Sequence, residues 1–124
     1  MLKELITCLS DKYTEDGPER VGFILTSGEV IETENVSKTP KDSFEVDFER
    51  HLDIIDNIKA SWHTHPGESS KLSNADSSGF RSFPEWSHYI VGQDGLREYI
   101  FNKGILVNGD YHQNLRNCPE DLRG

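Results

Sequence analysis

The sequence predicts an α/β protein, a single-domain α-β-α sandwich around a mixed β-sheet. Three observations lead there. Strand-like runs come in pairs joined by glycine-containing turns, helical segments are interposed between them, and 124 residues is the length of one domain with one modest core.

The elements follow in chain order. Leu2, Leu5, Ile6 and Leu9 recur at i, i+3, i+4 and i+7, which predicts an amphipathic helix closing near Asp11. Asp16-Gly17-Pro18 breaks it. Arg20 to Leu25 reads as a buried strand, Thr26-Ser27-Gly28 as a turn, and Val30 to Thr33 as the second strand of a hairpin. Asn35 to Ser43, with Pro40, is a loop. Phe44 and Val46 make an extended entry into a helix expected from about Asp47 to Asn57, because Phe48, Leu52 and Ile55 are helix-spaced. Ile58 to Trp62 is a short strand, and Pro66 to Leu72 a loop. Ser73-Asn74-Ala75-Asp76 opens a helix running to about Arg81. Trp86 to Val91 is a strand, Asp94-Gly95 a hairpin turn, and Leu96 to Phe101 and Ile105 to Val107 further strands. Asn108-Gly109 reads as another turn before a last strand over Tyr111 to Leu115. The domain is expected over residues 1–115, with 116–124 a polar, flexible tail.

Composition narrows the function. Lys and Arg number 13 against 22 Asp and Glu, a formal charge of −9, and only 34% of residues are apolar. The core must be small, so a bound metal or a partner is expected to contribute stability. Nucleic-acid binding is not expected, since neutralising phosphates needs Lys and Arg. No apolar run approaches the roughly 20 residues of a membrane span. Met1-Leu2-Lys3-Glu4 carries an acid early and leads into no long apolar stretch, so no secretion signal is expected and the predicted compartment is the cytoplasm. Cys8 and Cys118 stand far apart with no partner spacing, consistent with free thiols in a reducing compartment.

The chemistry concentrates in Trp62-His63-Thr64-His65-Pro66-Gly67 and Leu72-Ser73-Asn74-Ala75-Asp76. Two histidines at i and i+2 leaving a strand point to the same side, where their imidazoles can converge on one ion. Asp76, in the first turn of the next helix, can be folded back as a third ligand. Two His and one carboxylate with an open fourth position is the pattern of a catalytic zinc; closed structural sites are usually built from thiolates. Ser73-x-x-Asp76 also reads as a helix N-cap with an acid at N3. Either half of this pattern is common in proteins that bind no metal, and the pairing is what carries the signal. His51, His88 and His112 read as ordinary helix and strand residues, Trp62 as packing behind the site, and Glu68 and Lys71 as solvated loop charges.

His63-Thr64-His65-Pro66, the spacer to Leu72, then Ser73 and Asp76 resemble the signature of the JAMM (JAB/MPN-plus) metalloprotease family. Glu19-Arg20-Val21-Gly22 is similar to the family's early strand, and Asn35-Val36-Ser37, Pro40, Phe44 and Asp47 to its connector into a central helix. The resemblance covers roughly Met1 to Val107. The chain has no room for the insertions that shape ubiquitin-chain specificity in eukaryotic members, and is closer to compact prokaryotic and phage forms. The HTHPG loop and the Trp86 to Val91 strand look most like the amino-terminal domain of phage tail assembly proteins, often fused to an NlpC/P60-type peptidase domain. The resemblance implies a JAB/MPN fold related to cytidine deaminases, with Zn2+ held by His63, His65 and Asp76. It also implies Glu19 as general base and Ser73 as donor to the oxyanion. The implied reaction is hydrolysis of a peptide or isopeptide bond. The implied partners are a protein or peptide substrate and a partner protein or fused peptidase domain; candidate substrates are a ubiquitin-like tail, a phage tail protein or a peptidoglycan peptide. For a phage protein the compartment would be the host cytoplasm, with tail association. The alternative is a noncatalytic MPN-type scaffold, although such domains usually lose their ligands.

Overall fold

A six-stranded mixed sheet in the order β2-β1-β3-β4-β5-β6 carries the fold. The strands are β1 (Val21–Leu25), β2 (Val30–Thr33), β3 (Ile58–Thr64), β4 (Ser87–Gly92), β5 (Gly95–Asn102) and β6 (Ile105–Gln113). All neighbours pair antiparallel except β3 and β4, which are parallel and joined by a crossover containing helix α2 (Asn74–Phe80). Helix α1 (Lys3–Ser10) precedes β1. The computed structural model describes residues 3–113, and the expected tail and Cys118 lie outside them. Among the described residues no helix is long and apolar enough to cross a membrane.

The two helices cover opposite faces. On one, Leu9 of α1 packs with Ile24, Ala60, Trp62, Tyr89, Val91 and Leu96. On the other, Phe80 of α2 packs with Ile90 and Tyr99. Strand alternation produces this split: odd and even positions of β3 and β4 face different helices. Trp62 is fully buried on the α1 face, where its Nε1 donates to the Ile31 carbonyl at 3.1 Å. A Cβ on Gly22 would meet the Trp62 indole at 2.7 Å and the Ile31 oxygen at 2.0 Å, so only glycine fits beneath that ring.

Two elements differ from expectation. The predicted helix over about Asp47 to Asn57 is two short 3-10 turns, Phe48–His51 and Ile55–Asn57. Phe48 and His51 both pack on Phe23, and in a 3-10 turn residues i and i+3 eclipse. Leu52 is 67% exposed, so the helix-spaced trio forms no buried stripe. The predicted turn at Asn108-Gly109 is instead an irregularity within continuous β6, where pairing passes from Arg97↔Tyr111 to Tyr99↔Asn108. The extra residue of β6 is a bulge over Glu98, whose Oε1 accepts from Asp110 N. A Cβ on Gly109 would lie 2.4 Å from that oxygen.

Candidate metal centre

The end of β3 builds the first half of the site. His63 pairs with Val21 on one side and Ile90 on the other, and is 1% exposed. His65 follows just past the strand end, held by its N–H to the Val91 carbonyl at 2.9 Å. The expected i, i+2 convergence is present: the two Nε2 atoms are 3.1 Å apart. Phe44 lies against the His63 ring with centroids 4.5 Å apart.

Helix α2 supplies the second half. Ser73 caps it reciprocally: Ser73 Oγ accepts from Asp76 N at 3.0 Å, and Asp76 Oδ2 accepts from Ser73 N at 3.1 Å. This capping box holds the Asp76 carboxylate beside both rings, Oδ1 at 3.0 Å from His63 Nε2 and Oδ2 at 3.1 Å from His65 Nε2. The loop between is anchored by buried Ser70. Its N–H donates to Asp94 Oδ1, its Oγ accepts from Arg97, and its carbonyl accepts from Tyr99. A Cβ on Gly92 would fall 2.2 Å from Ser70 N, so that glycine lets the loop lie on β4.

Glu19 approaches from just before β1. Arg20 and Thr64 exchange hydrogen bonds, Arg20 N to Thr64 Oγ1 and Thr64 N to the Arg20 carbonyl, both at 2.9 Å, which fastens this segment to the end of β3. Glu19 N donates to the Pro40 carbonyl at 2.7 Å. Asn35 Nδ2 donates to the Glu19 carbonyl at 2.9 Å and the Ser43 carbonyl at 3.0 Å, while its Oδ1 accepts from Glu45 N at 3.1 Å. Asn35 therefore ties Glu19 and Phe44 to one loop. Glu19, His63 and His65 offer ligand atoms within 4.8 Å of one another and could hold a metal ion.

The donor set fits a cation. His65 Nδ1 lies 2.8 Å from the Ser69 carbonyl, which can only accept, so Nδ1 carries the ring's proton. In the neutral ring Nε2 is then an acceptor, and it faces another acceptor, Asp76 Oδ2. A proton on Nε2 or a cation between the groups resolves that opposition. The electrostatics agree. Burial holds His63 below its usual pKa, in the unprotonated form that ligation needs. Burial also lowers His65, but Asp76, the Ser69 carbonyl and Glu19 outweigh it and its pKa is raised. Burial raises Asp76, and the bonds to both histidines overcome this and hold it well below the carboxylate range. Burial pushes Glu19 up to about 7, partly offset by His65 and reinforced by Asp76, Glu68 and Asp42.

All five expected site residues meet here: Glu19, His63, His65, Ser73 and Asp76 border one place in the fold, and a cleft lined by Glu19, His65, Ser73 and Asp76 opens to solvent. Glu68 and Asp42 also line it, and both are exposed. Phe44, Asn35 and the Ser69 carbonyl carry roles that local pattern does not reveal, because their partners are distant in sequence or lie on the backbone. His88 is not an ordinary strand residue. It is 1% exposed, bonded through Nε2 to the Phe83 carbonyl at 2.9 Å and through Nδ1 to Ser61 Oγ at 2.7 Å. Burial pushes its pKa down to about 4. His51 bonds Thr33 Oγ1, and among the described residues the buried His112 Nε2 has no partner. No protein-family model and no curated protein matches the chain.

Proposed function

We propose that the chain is a zinc metallopeptidase of the JAMM type, on a JAB/MPN-like fold, that hydrolyses a peptide or isopeptide bond. The observation that carries this reading is the Asp76 carboxylate set against both imidazole Nε2 atoms with the Glu19 carboxylate beside them. His63, His65 and Asp76 would hold the zinc. Zinc bound there supplies Lewis acidity, which brings the pKa of water to about 7.

The chain's own groups do the rest. Glu19, beside the two imidazoles and pushed up to about 7 in the metal-free chain by burial, can take a proton from water and return it to the leaving amine nitrogen. Ser73 Oγ accepts from Asp76 N, which leaves its O–H free to donate to the carbonyl oxygen of the substrate as charge develops there. The Ser69 carbonyl keeps His65 in the tautomer that presents Nε2. Water adds to the amide carbon, the C–N bond breaks, and a carboxylate and an amine leave. The substrate is a protein or peptide, and selectivity among folded targets comes from a partner protein or a fused domain such as an NlpC/P60-type peptidase, as in phage tail assembly. The compartment that fits is the cytoplasm.

The test is incubation of the zinc-loaded chain with a random-sequence peptide library, with new termini read by mass spectrometry. Cleavage by wild type and none by Glu19→Gln is expected. Equal product from both proteins, or none from either, would count against the reading.

A further inference from the structure

The cleft at the metal centre adjoins a second cavity of about 390 Å³ between β1, β3 and α2. Six aromatic rings line it: Phe23, Phe44, Phe48, Phe80, Phe83 and Trp86. The polar groups of Ser61 and His88, also in its wall, are bonded to each other and to the Phe83 carbonyl, and the remaining polar lining, Glu45 and Ser82, is exposed. At the small end of ligand-pocket volumes, roughly 300–1,000 Å³, it has room for a side chain and not for a folded surface.

Two residues connect this cavity to the chemistry. Phe44 and Gly79 border both cavities, and the Phe44 ring rests on that of His63. Gly79 sits inside α2, where glycine is among the least favourable residues. Its φ is not positive and no atom lies within 4 Å of where its Cβ would be. Neither backbone conformation nor packing asks for glycine. What its missing side chain does is leave space open at the border that the two cavities share.

Building on the metallopeptidase reading, we propose that the aromatic cavity is the specificity pocket of the site, taking a large apolar side chain (leucine, methionine or an aromatic) from a peptide residue beside the scissile bond. Burial against six rings rewards a large apolar, polarisable occupant, which loses no hydration of a charge on entering. The border shared at Phe44 and Gly79 would place that occupant next to the bond being cut.

Two readouts test this with the full chain. In the peptide library, large apolar residues should be enriched about tenfold or more over alanine at one position within two residues of the cut. Zinc-loaded Gly79→Leu, which puts a bulky side chain at the border of the two cavities, should lose that preference, and Gly79→Ala should retain it. Independently of turnover, Trp86 fluorescence in chelator-treated protein should shift saturably with acetyl-Gly-Phe-Gly-amide and not with acetyl-Gly-Lys-Gly-amide, and Gly79→Leu should abolish the shift. Trp62, the other tryptophan, is fully buried on the opposite face and stays silent. Cleavage without apolar preference, or a lysine peptide that titrates Trp86 as well as the phenylalanine peptide, overturns the pocket and leaves the peptidase reading standing. A saturable Trp86 response to the phenylalanine peptide alone, with no cleavage of any peptide, supports the pocket and removes the peptidase.

Discussion

The His65 ring donates from Nδ1 to the Ser69 carbonyl across 2.8 Å, and this bond decides which nitrogen faces Asp76. Once Nδ1 is committed, the Nε2 lone pair is left to a proton, a metal or a hydrogen bond from His63 Nε2, 3.1 Å away. The same loop that Ser70 pins to the β4–β5 hairpin thus sets the protonation chemistry of the site.

Metal and proton therefore compete for one atom. Asp76 and Glu19 help hold His65 above its usual pKa, so in the metal-free chain the Nε2 proton persists above pH 6.5. Zinc affinity should rise with pH through and beyond that point, with proton release on binding. Isothermal titration in buffers of different ionisation enthalpy measures both. Affinity that is flat from pH 6 to 8 would contradict the assignment of His65.

Glu19→Gln keeps shape and loses proton acceptance. Activity should fall about 10²–10⁴-fold while zinc content holds. Stability adds a signature. A carboxyl raised from 4.5 to about 7 on folding contributes stability that is complete below pH 4.5 and lost as pH rises through 7. In chelator, Glu19→Gln should escape that loss and be more stable than wild type at pH 8, by up to about 3 kcal/mol. Denaturant midpoints at pH 5 and pH 8 check the sign. An emptied metal site in Glu19→Gln would make Glu19 a ligand instead of a base.

Ser73 has two jobs that one variant separates. Ser73→Ala removes the cap on α2 and should cost about 1 kcal/mol of stability. It should also remove about 2.7–4 kcal/mol of transition-state stabilisation, as other oxyanion donors do, without displacing zinc. Ser73→Asp retains a capping acceptor without a hydroxyl donor, so it should recover stability and not turnover. Recovery of turnover in Ser73→Asp would confine Ser73 to capping.

His88 is a base buried neutral. Its pKa falls from 6.5 to about 4 on folding, so between those values the unfolded chain binds a proton that the native chain refuses. The stability linked to His88 is complete above pH 6.5 and is lost as pH falls toward 4, about 3 kcal/mol at most. His88→Gln, which keeps a donor and an acceptor, should flatten that part of the pH profile in chelator. Parallel profiles for the two proteins would show that His88 is not the titrating group.

Legibility in the sequence followed the range of each interaction. The convergence of His63 and His65 was readable because strand alternation is local, and Asp76 because a capping box spans four residues. The sheet strands and the hairpin at Gly28 were readable for the same reason. Glu19 carries no local signal: its place is set by Arg20 bonding Thr64 across 44 residues, and it was found only through the family resemblance. Residues 48–57 deceived because a spacing of three or four suits an α-helix and a 3-10 turn alike until the partner, here Phe23, is known. Asn108-Gly109 carries the signature of a hairpin turn, but Glu98 on the neighbouring strand fills the space beneath Gly109 and makes it a bulge. The aromatic cavity was invisible for a related reason, since its walls come from segments between Val21 and His88.

The central claim is that His63, His65 and Asp76 hold a zinc ion. Its most direct test is the zinc content of the wild-type chain after equilibration with excess zinc and desalting, beside His65→Ala treated identically. The account predicts about one zinc per wild-type chain, as for a site of three protein ligands with an open position, and little in the variant. Wild type that retains no more zinc than His65→Ala would contradict it.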